Sequence, residues 1–217
     1  MFIQAVIVDL DGVIVDTEFL TFTAWQDHLN AKGHLLDEDD FRVLYGLDAD
    51  QTVDYFCKKF DLFAERPELL IEHEKLMLSV FDEPIEPQPG IRELVVCLAE
   101  KNLLLAVASN SSTQYVETAI EKTGLKKMFS AVIGRDQVLS GKPSPDVYLA
   151  AAHKLSVAID RCLAIEDSLV GEKSAVSSGS RCVIVTGSNP RQWEFRGAFA
   201  VYQSIEEVLT TIDQLLA

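Results

Sequence analysis

Two aspartates, Asp9 and Asp11, stand two residues apart in the stretch VIVDLDGVIVDTE, where an apolar run of strand composition ends. A buried charge without a partner is costly, so carboxylates closing a core segment call for a chemical reason. In open α/β sheets ligands bind beyond the carboxyl ends of strands, and positions two apart there can face one space. Such a pair suits a hard cation, because Mg2+ prefers oxygen ligands. It equally suits attack by one acid while the other handles a proton. A plain turn, with Asp11 and Gly12 supplying its geometry, is the alternative reading of the same residues.

Three later segments add chemistry of the matching kind. VASNSS offers the Ser109 hydroxyl, and free amides from Asn110 onward where a helix starts, which can hold an anion. SGKPSP presents Lys142 from a loop stiffened by Pro143 and Pro145. LAIEDSLVG ends another apolar run in Glu166 and Asp167, a second source of carboxylates for a metal. The four histidines show no ligand spacing and receive no chemical role. The four cysteines are widely spaced and sit in apolar surroundings such as RCLAI and RCVIV, which reads as reduced core thiols.

Positioning these groups requires a sheet. Apolar runs of strand length recur at Ile3 to Asp9, Leu103 to Ser109, Ala131 to Ile133, Leu163 to Glu166 and Cys182 to Val185, with a weaker one at Ala198 to Tyr202. Helical patterns separate the later ones, at Ile91 to Lys101, Thr113 to Lys122, Pro145 to Leu155 and Gly171 to Ser177. Strands apolar on both faces, alternating with helices, predict an α/β fold: a doubly wound, Rossmann-like parallel sheet covered on two sides. Ser144 is expected to cap the helix that Pro145 opens, and Ser111 or Ser112 the one before it. Gly124 and Gly179 fall at left-handed helix ends.

The span from Thr17 breaks this alternation with purely helical patterns at Phe19 to Lys32, Asp37 to Tyr45, Asp50 to Phe60 and Pro67 to Phe81. EPIEPQPG then reads as a stiff return to the core. The expected organisation is an α/β catalytic core from residues 1–16 and 88–217, with a small α-helical cap domain, residues 17–87, inserted after the first strand. The 217 residues carry 34 acidic and 19 basic side chains, a net charge of −15, and −12 of that lies between Asp16 and Gln88. This balance repels polyphosphate backbones and excludes nucleic acid as a partner. The start of the chain lacks the pattern of a signal peptide and no stretch reaches the length of a membrane span. A cytoplasmic protein with no membrane partner, a monomer or weak homo-oligomer, is expected.

DLDGV, VASNSS, GKPSPD and IEDSLVG, in that order, resemble the four motifs of the haloacid dehalogenase-like (HAD) superfamily. The early helical insert together with GKPSPD and EDSLVG is similar to its β-phosphoglucomutase and phosphatase branch. The resemblance implies that Asp9 is a nucleophile forming an aspartyl-phosphate, and that Asp11 protonates the leaving oxygen and then activates the hydrolytic water. It implies that Ser109 and the Asn110 amide hold phosphoryl oxygens and that Lys142 neutralises charge on phosphate and on Asp9. Mg2+ would be bound by the Asp9 side chain, the Asp11 backbone carbonyl and Asp167, with Glu166 helping directly or through water. For these roles Asp11 must hold its proton more tightly than Asp9, which metal and Lys142 keep ionised. Electrostatics demands the same parts: a carboxylate approaches a dianionic phosphate only where opposing charge screens the repulsion.

Departures from the branch narrow the reaction. Thr21 stands where β-phosphoglucomutases carry a histidine, and Ala49, between acids in YGLDADQT, stands where they carry an arginine that grips a second phosphate. Loss of that bidentate cation disfavours a bisphosphate intermediate. The expected function is a Mg2+-dependent phosphatase acting on a small-molecule phosphate monoester, a sugar phosphate with one phosphate. A β-phosphoglucomutase-type mutase and a phosphate-binding protein without turnover are the alternatives. By analogy with the branch's cap loop, Trp25, Gly46, Leu47 and Thr52 are expected to contact substrate. Glu172 and Lys173, which follow Gly171, receive no role.

Overall fold

The structure, a computed structural model, describes residues 2–82, 85–187 and 193–217. In chain order come β1 (Ala5–Val8), then four helices, α1 (Thr17–Asn30), α2 (Glu38–Leu44), α3 (Ala49–Phe60) and α4 (Arg66–Ser79). There follow α5 (Ile91–Glu100), β2 (Leu104–Ala108), α6 (Thr113–Lys122), β3 (Ala131–Ile133), α7 (Asp146–Leu155), β4 (Cys162–Glu166), α8 (Leu169–Ser178), β5 (Arg181–Val185), β6 (Ala200–Tyr202) and α9 (Ile205–Leu216). The chain divides into two compact units, one of Met1–Asp16 with Ile85–Ala217 and one of Thr17–Pro84. Glu83 and Pro84, at the start of the expected return crossing, lie outside the described residues.

The larger unit is built on a six-stranded sheet in the order β3-β2-β1-β4-β5-β6, and every neighbouring pair is parallel. All four residues of β1 are fully buried. Because alternate residues of a strand point to opposite faces, this requires cover on both sides. On one face Ala5, Ile7, Ala106, Ala108 and Ala164 pack with Val147, Tyr148 and Ala151 of α7 and Ala175 of α8. On the other, Val6, Val8, Leu105 and Val107 are equally buried and α5 packs against β2 and α9. Each such aliphatic side chain contributes roughly 1.5–3 kcal/mol by leaving water. The strand order reverses on either side of β1, so the residue after β1 stands at a topological switch point, where α/β sheets bind ligands.

The smaller unit is a bundle of α1 to α4 around Trp25, Leu29, Val53, Phe56 and Leu69. Two capping boxes start its middle helices: Asp37 with Asp40 for α2 and Asp48 with Gln51 for α3. Among the described residues no helix is long and apolar enough to cross a membrane. All four cysteines are free thiols, and burial raises Cys162 to about 11, which leaves it inert at neutral pH.

One local expectation is corrected and one element was missed. Ser144 does not cap α7: its hydroxyl donates to the Asp146 carboxylate at 2.8 Å, and Pro145 occupies the cap position with no side-chain bond. Helix α9 was not expected from the sequence. Its signal is present in SIEEVLTTIDQLL, where Ser204 accepts from the Glu207 amide and Ile205, Val208, Ile212 and Leu215 form one buried stripe.

Candidate active site

Asp9, Ser109 and Asp167 each stand immediately after a strand, β1, β2 and β4, and Glu166 is the last residue of β4. Lys142 comes from the loop between β3 and α7. The carboxyl edge of the sheet therefore gathers the core-motif residues from four separate segments.

Asp9 continues the sheet ladder, its amide donating to the Ile165 carbonyl at 2.9 Å, and this aims its side chain along the strand end. Immediately beyond it the chain curls: Ile14 and Val15 amides return to the Leu10 carbonyl, and the Gly12 amide donates to the Val15 carbonyl at 2.7 Å. Gly12 has a φ of +82°, and a Cβ there would overlap the Asp167 carboxylate. Glycine is thus needed twice over, for backbone conformation and for the close approach of the second acidic segment.

The Lys142 ammonium donates to Asp9 Oδ1 at 2.7 Å and to Glu166 Oε1 at 2.5 Å, and its side chain is only 3% exposed. It also lies over the Tyr148 ring, 5.4 Å from the centroid. Glu166 is completely enclosed: Tyr148 donates to Oε1 at 2.6 Å, while the Asp167 amide and the Ser168 hydroxyl address Oε2. A Cβ at Gly171 would collide with this carboxylate, so the glycine in IEDSLVG makes room for it. Glu166 fixes Lys142 with one oxygen and the start of the β4–α8 turn with the other.

The Lys142 loop is held from several sides. Asn110 Oδ1 accepts from the Lys142 amide at 2.7 Å and Asn110 Nδ2 donates to the Lys142 carbonyl at 3.1 Å. Asp146 accepts from the Ser140 amide, and the Ser174 hydroxyl donates to the Ser144 carbonyl at 2.5 Å. Buried Ser109 accepts from the Ser111 amide at 3.0 Å. The Asp11 carboxylate receives hydroxyls from Ser111 at 3.1 Å, Tyr115 at 3.2 Å and Ser109 at 3.4 Å.

Charge is unbalanced here. Ligand oxygens of Asp9, Glu166 and Asp167, all buried, lie within 4.8 Å of one another, and the Lys142 ammonium meets the first two. Burial first, and then Glu166, push Asp9 up to about 8, against the pull of Lys142. Burial by itself would lower Lys142, but Asp9 and Glu166 outweigh it and hold the ammonium above its ordinary value. The expectation that Asp9 is held ionised therefore needs more positive charge than Lys142 supplies. Three hard oxygen donors brought this close together fit a divalent cation of the Mg2+ type.

In the cap, Trp25 is enclosed in the hydrophobic core, its indole donating to His73 Nδ1 at 3.2 Å, and Thr52 is buried on α3. Leu47 packs against the same core. Gly46 is exposed, with a φ of +71°, and its amide donates to Glu18 at 3.1 Å. Three residues of the core site carried no chemical role in the sequence reading, Tyr115, Tyr148 and Gly171, and Ser111 entered it only as one of two candidate helix caps, a place that Ser112 takes. Both tyrosines occupy the third position of a helix that starts at the carboxyl edge, α6 and α7. That placement is the signal that could have found them.

Comparison with known proteins agrees with this geometry. Residues 6–185 match the family model described as haloacid dehalogenase-like hydrolase. The chain is 27% identical over 217 residues to the phosphorylated carbohydrates phosphatase of Thermotoga maritima, covering 98% of this chain and 100% of that one. It is 30% identical to the protein CbbY of Cereibacter sphaeroides, with 95% and 94% of the two chains covered. A crystal structure of CbbY from Rhodobacter sphaeroides in complex with phosphate superposes with a TM-score of 0.79 at 28% identity, over 97% of this chain and 99% of that one. With its parallel sheet, its helical insert after β1 and its four motif segments gathered at one edge, the chain belongs to the haloacid dehalogenase-like hydrolase family and is an enzyme of its β-phosphoglucomutase and phosphatase branch.

Proposed function

We propose that the protein is a Mg2+-dependent phosphatase that hydrolyses a small-molecule phosphate monoester, a sugar phosphate, through a phosphorylated Asp9. The observation that carries this reading is the contact of Lys142 with both Asp9 and Glu166 inside a cluster of three buried carboxylates. Asp9, Asp167 and the Asp11 backbone carbonyl would hold Mg2+, with Glu166 beside them. When bound, the ion supplies the positive charge that lets one anion approach another. Lys142 neutralises the nucleophile and the transferring phosphoryl oxygens, and Ser109 with the amides that open α6 receives those oxygens. Asp11 gives a proton to the departing oxygen and takes one from the incoming water.

Hydrolysis is favoured over phosphoryl exchange by the cap. Around Ala49 the side chains of Asp48 and Gln51 are engaged in a capping box, and Thr21 donates to the Met77 sulfur at 3.3 Å. None of these groups supplies a cation for a second phosphate. We assign the choice of leaving group to the loop at Gly46 and Leu47, shaped from within the cap by Trp25 and Thr52. The cap's acidic balance points to a substrate with one phosphate and an uncharged remainder.

The test is phosphate release from a panel of sugar monophosphates, bisphosphates and acidic sugar phosphates, with and without Mg2+. Turnover of neutral sugar monophosphates, abolished by chelation and by Asp9→Asn, is expected. Tight binding of a phosphate analogue with no turnover of any ester would replace the enzyme by a binding protein. Preference for the more anionic compounds would overturn the substrate class alone.

A further inference from the structure

We propose that the Tyr115 hydroxyl is a positioning group for Asp11, fixing the plane of its carboxyl so that the proton is delivered along one line to the leaving oxygen. The inference rests on the phosphatase reading above and adds a residue that the family motifs do not contain.

Asp11 is addressed on both oxygens. Ser111 and Ser109 donate to Oδ2 at 3.1 and 3.4 Å, and Tyr115 donates to Oδ1 at 3.2 Å across 104 positions of sequence. The three donors differ in stiffness. A serine oxygen swings about one torsion, and Ser109 Oγ is shared with the Ser111 amide. The phenol oxygen sits at the tip of a rigid ring that is 3% exposed and anchored in the first turn of α6, a helix capped by Ser112. With Oδ2 held by two hydroxyls that each turn about a single torsion, the ring-borne donor on Oδ1 decides how the carboxyl can rotate. A phenylalanine would fill the same space and leave that oxygen without this donor.

The chemistry gives the contact a distinctive signature. In the first step an Asp9 oxygen bonds to phosphorus as the ester P–O bond breaks, and the Asp11 proton passes to the departing alkoxide. In the second, a water oxygen bonds to phosphorus, its proton passes to the now ionised Asp11, and the Asp9 carboxylate leaves. A sugar alkoxide needs the proton in the first step, whereas 4-nitrophenolate departs without it. A group that only aims Asp11 therefore affects kcat/KM, which reports the first step, in proportion to the basicity of the leaving group.

The experiment measures kcat/KM for a series from 4-nitrophenyl phosphate through phenyl phosphate to a neutral sugar phosphate, for the wild type and Tyr115→Phe. The expected result is a fall of about tenfold or more for the sugar phosphate and less than about twofold for 4-nitrophenyl phosphate, with thermal stability retained. Added to Asp11→Asn, the Tyr115→Phe change is expected to cause no further loss. Tyr115→Met, which removes the hydroxyl and fills the space differently, is expected to repeat the pattern and carries the test should the phenylalanine variant fail to fold. A uniform loss across the series, or no loss at all, overturns the proposal while leaving the phosphatase reading intact. A wild type inactive on every ester overturns both.

Discussion

The side chain of Asn110 grips the backbone of Lys142 at both ends of one residue, accepting from its amide at 2.7 Å and donating to its carbonyl at 3.1 Å. The ammonium that meets Asp9 is thus aimed by the segment that follows β2, and the two motifs are mechanically one part. Gly141 makes this possible, because a Cβ there would come within 2.5 Å of Asn110 Oδ1.

Asn110→Ala removes both bonds, each with a net value of about 0.5–1.5 kcal/mol. The loop is then free to carry Lys142 off Asp9, so kcat/KM is expected to fall roughly tenfold or more for every ester in a series, good leaving groups included. Steady-state kinetics check this, and the uniformity separates it from the effect of Tyr115→Phe. Persistence of wild-type kcat/KM would show that the other loop contacts suffice.

Asp9, Asp11, Ser109, Glu166 and Asp167 were legible because each lies within a few positions of a strand end, where polar groups after an apolar run have few structural explanations, and Lys142 because two prolines mark its loop. Five strands were legible as apolar runs, and β6 only weakly, because this edge strand is partly exposed. The partners of those residues were not legible. A tyrosine at the third position of an amphipathic helix looks like core until the helix is docked, and Tyr115 and Tyr148 reveal themselves only through acceptors 104 and 18 positions away. Trp25 was singled out by analogy with the branch's cap loop, and the structure packs it with Phe56 and His73 in the cap core.

Asp9→Asn is expected to abolish turnover and to raise the stability of the metal-free protein. Asp9 is the carboxylate that crowding acts on: burial and Glu166 oppose its charge, while Lys142 keeps Glu166 as a partner if Asp9 is neutral. A gain of about 1 kcal/mol corresponds to roughly 2–4 °C in Tm for a chain of this size. Thermal melts in chelator check it, and a lower Tm for the variant would show that the Lys142 contact outweighs the crowding.

The same crowding sets a pH dependence. Asp9 is raised in the folded protein from 3.8 to about 8, so the unfolded chain releases this proton first. The contribution to stability is complete below about pH 4 and is lost as pH rises towards 8. Metal-free protein is therefore expected to lose about 5 °C or more in Tm between pH 5 and pH 8, after correction for the other titrating groups with Asp9→Asn as reference. Saturating Mg2+, by stabilising the ionised carboxylates, is expected to flatten or reverse that slope. A slope identical with and without Mg2+ would remove the cation from the cluster.

Glu172 separates a structural carboxylate from the catalytic ones. It is buried on α8, and Oε1 accepts from the Gly197 amide at 2.7 Å and the Ala198 amide at 2.9 Å, which fastens the segment leading into β6. Bonds from backbone amides to a charged acceptor contribute about 1.5–3 kcal/mol each. Glu172→Ala leaves two amides without this acceptor and opens space beneath the edge of the sheet, so a loss of roughly 3 kcal/mol is expected, measurable by denaturant unfolding. Glu172→Gln keeps an oxygen acceptor without the charge and is expected to recover about half of that loss. Because β6 is an edge strand, two strands removed from the β1–β4 pair that carries Asp9 and Glu166, kcat is expected to stay within about twofold of wild type below the melting transition. A drop in kcat at full folding would mean that this edge helps to hold the β4–α8 turn, and with it Glu166.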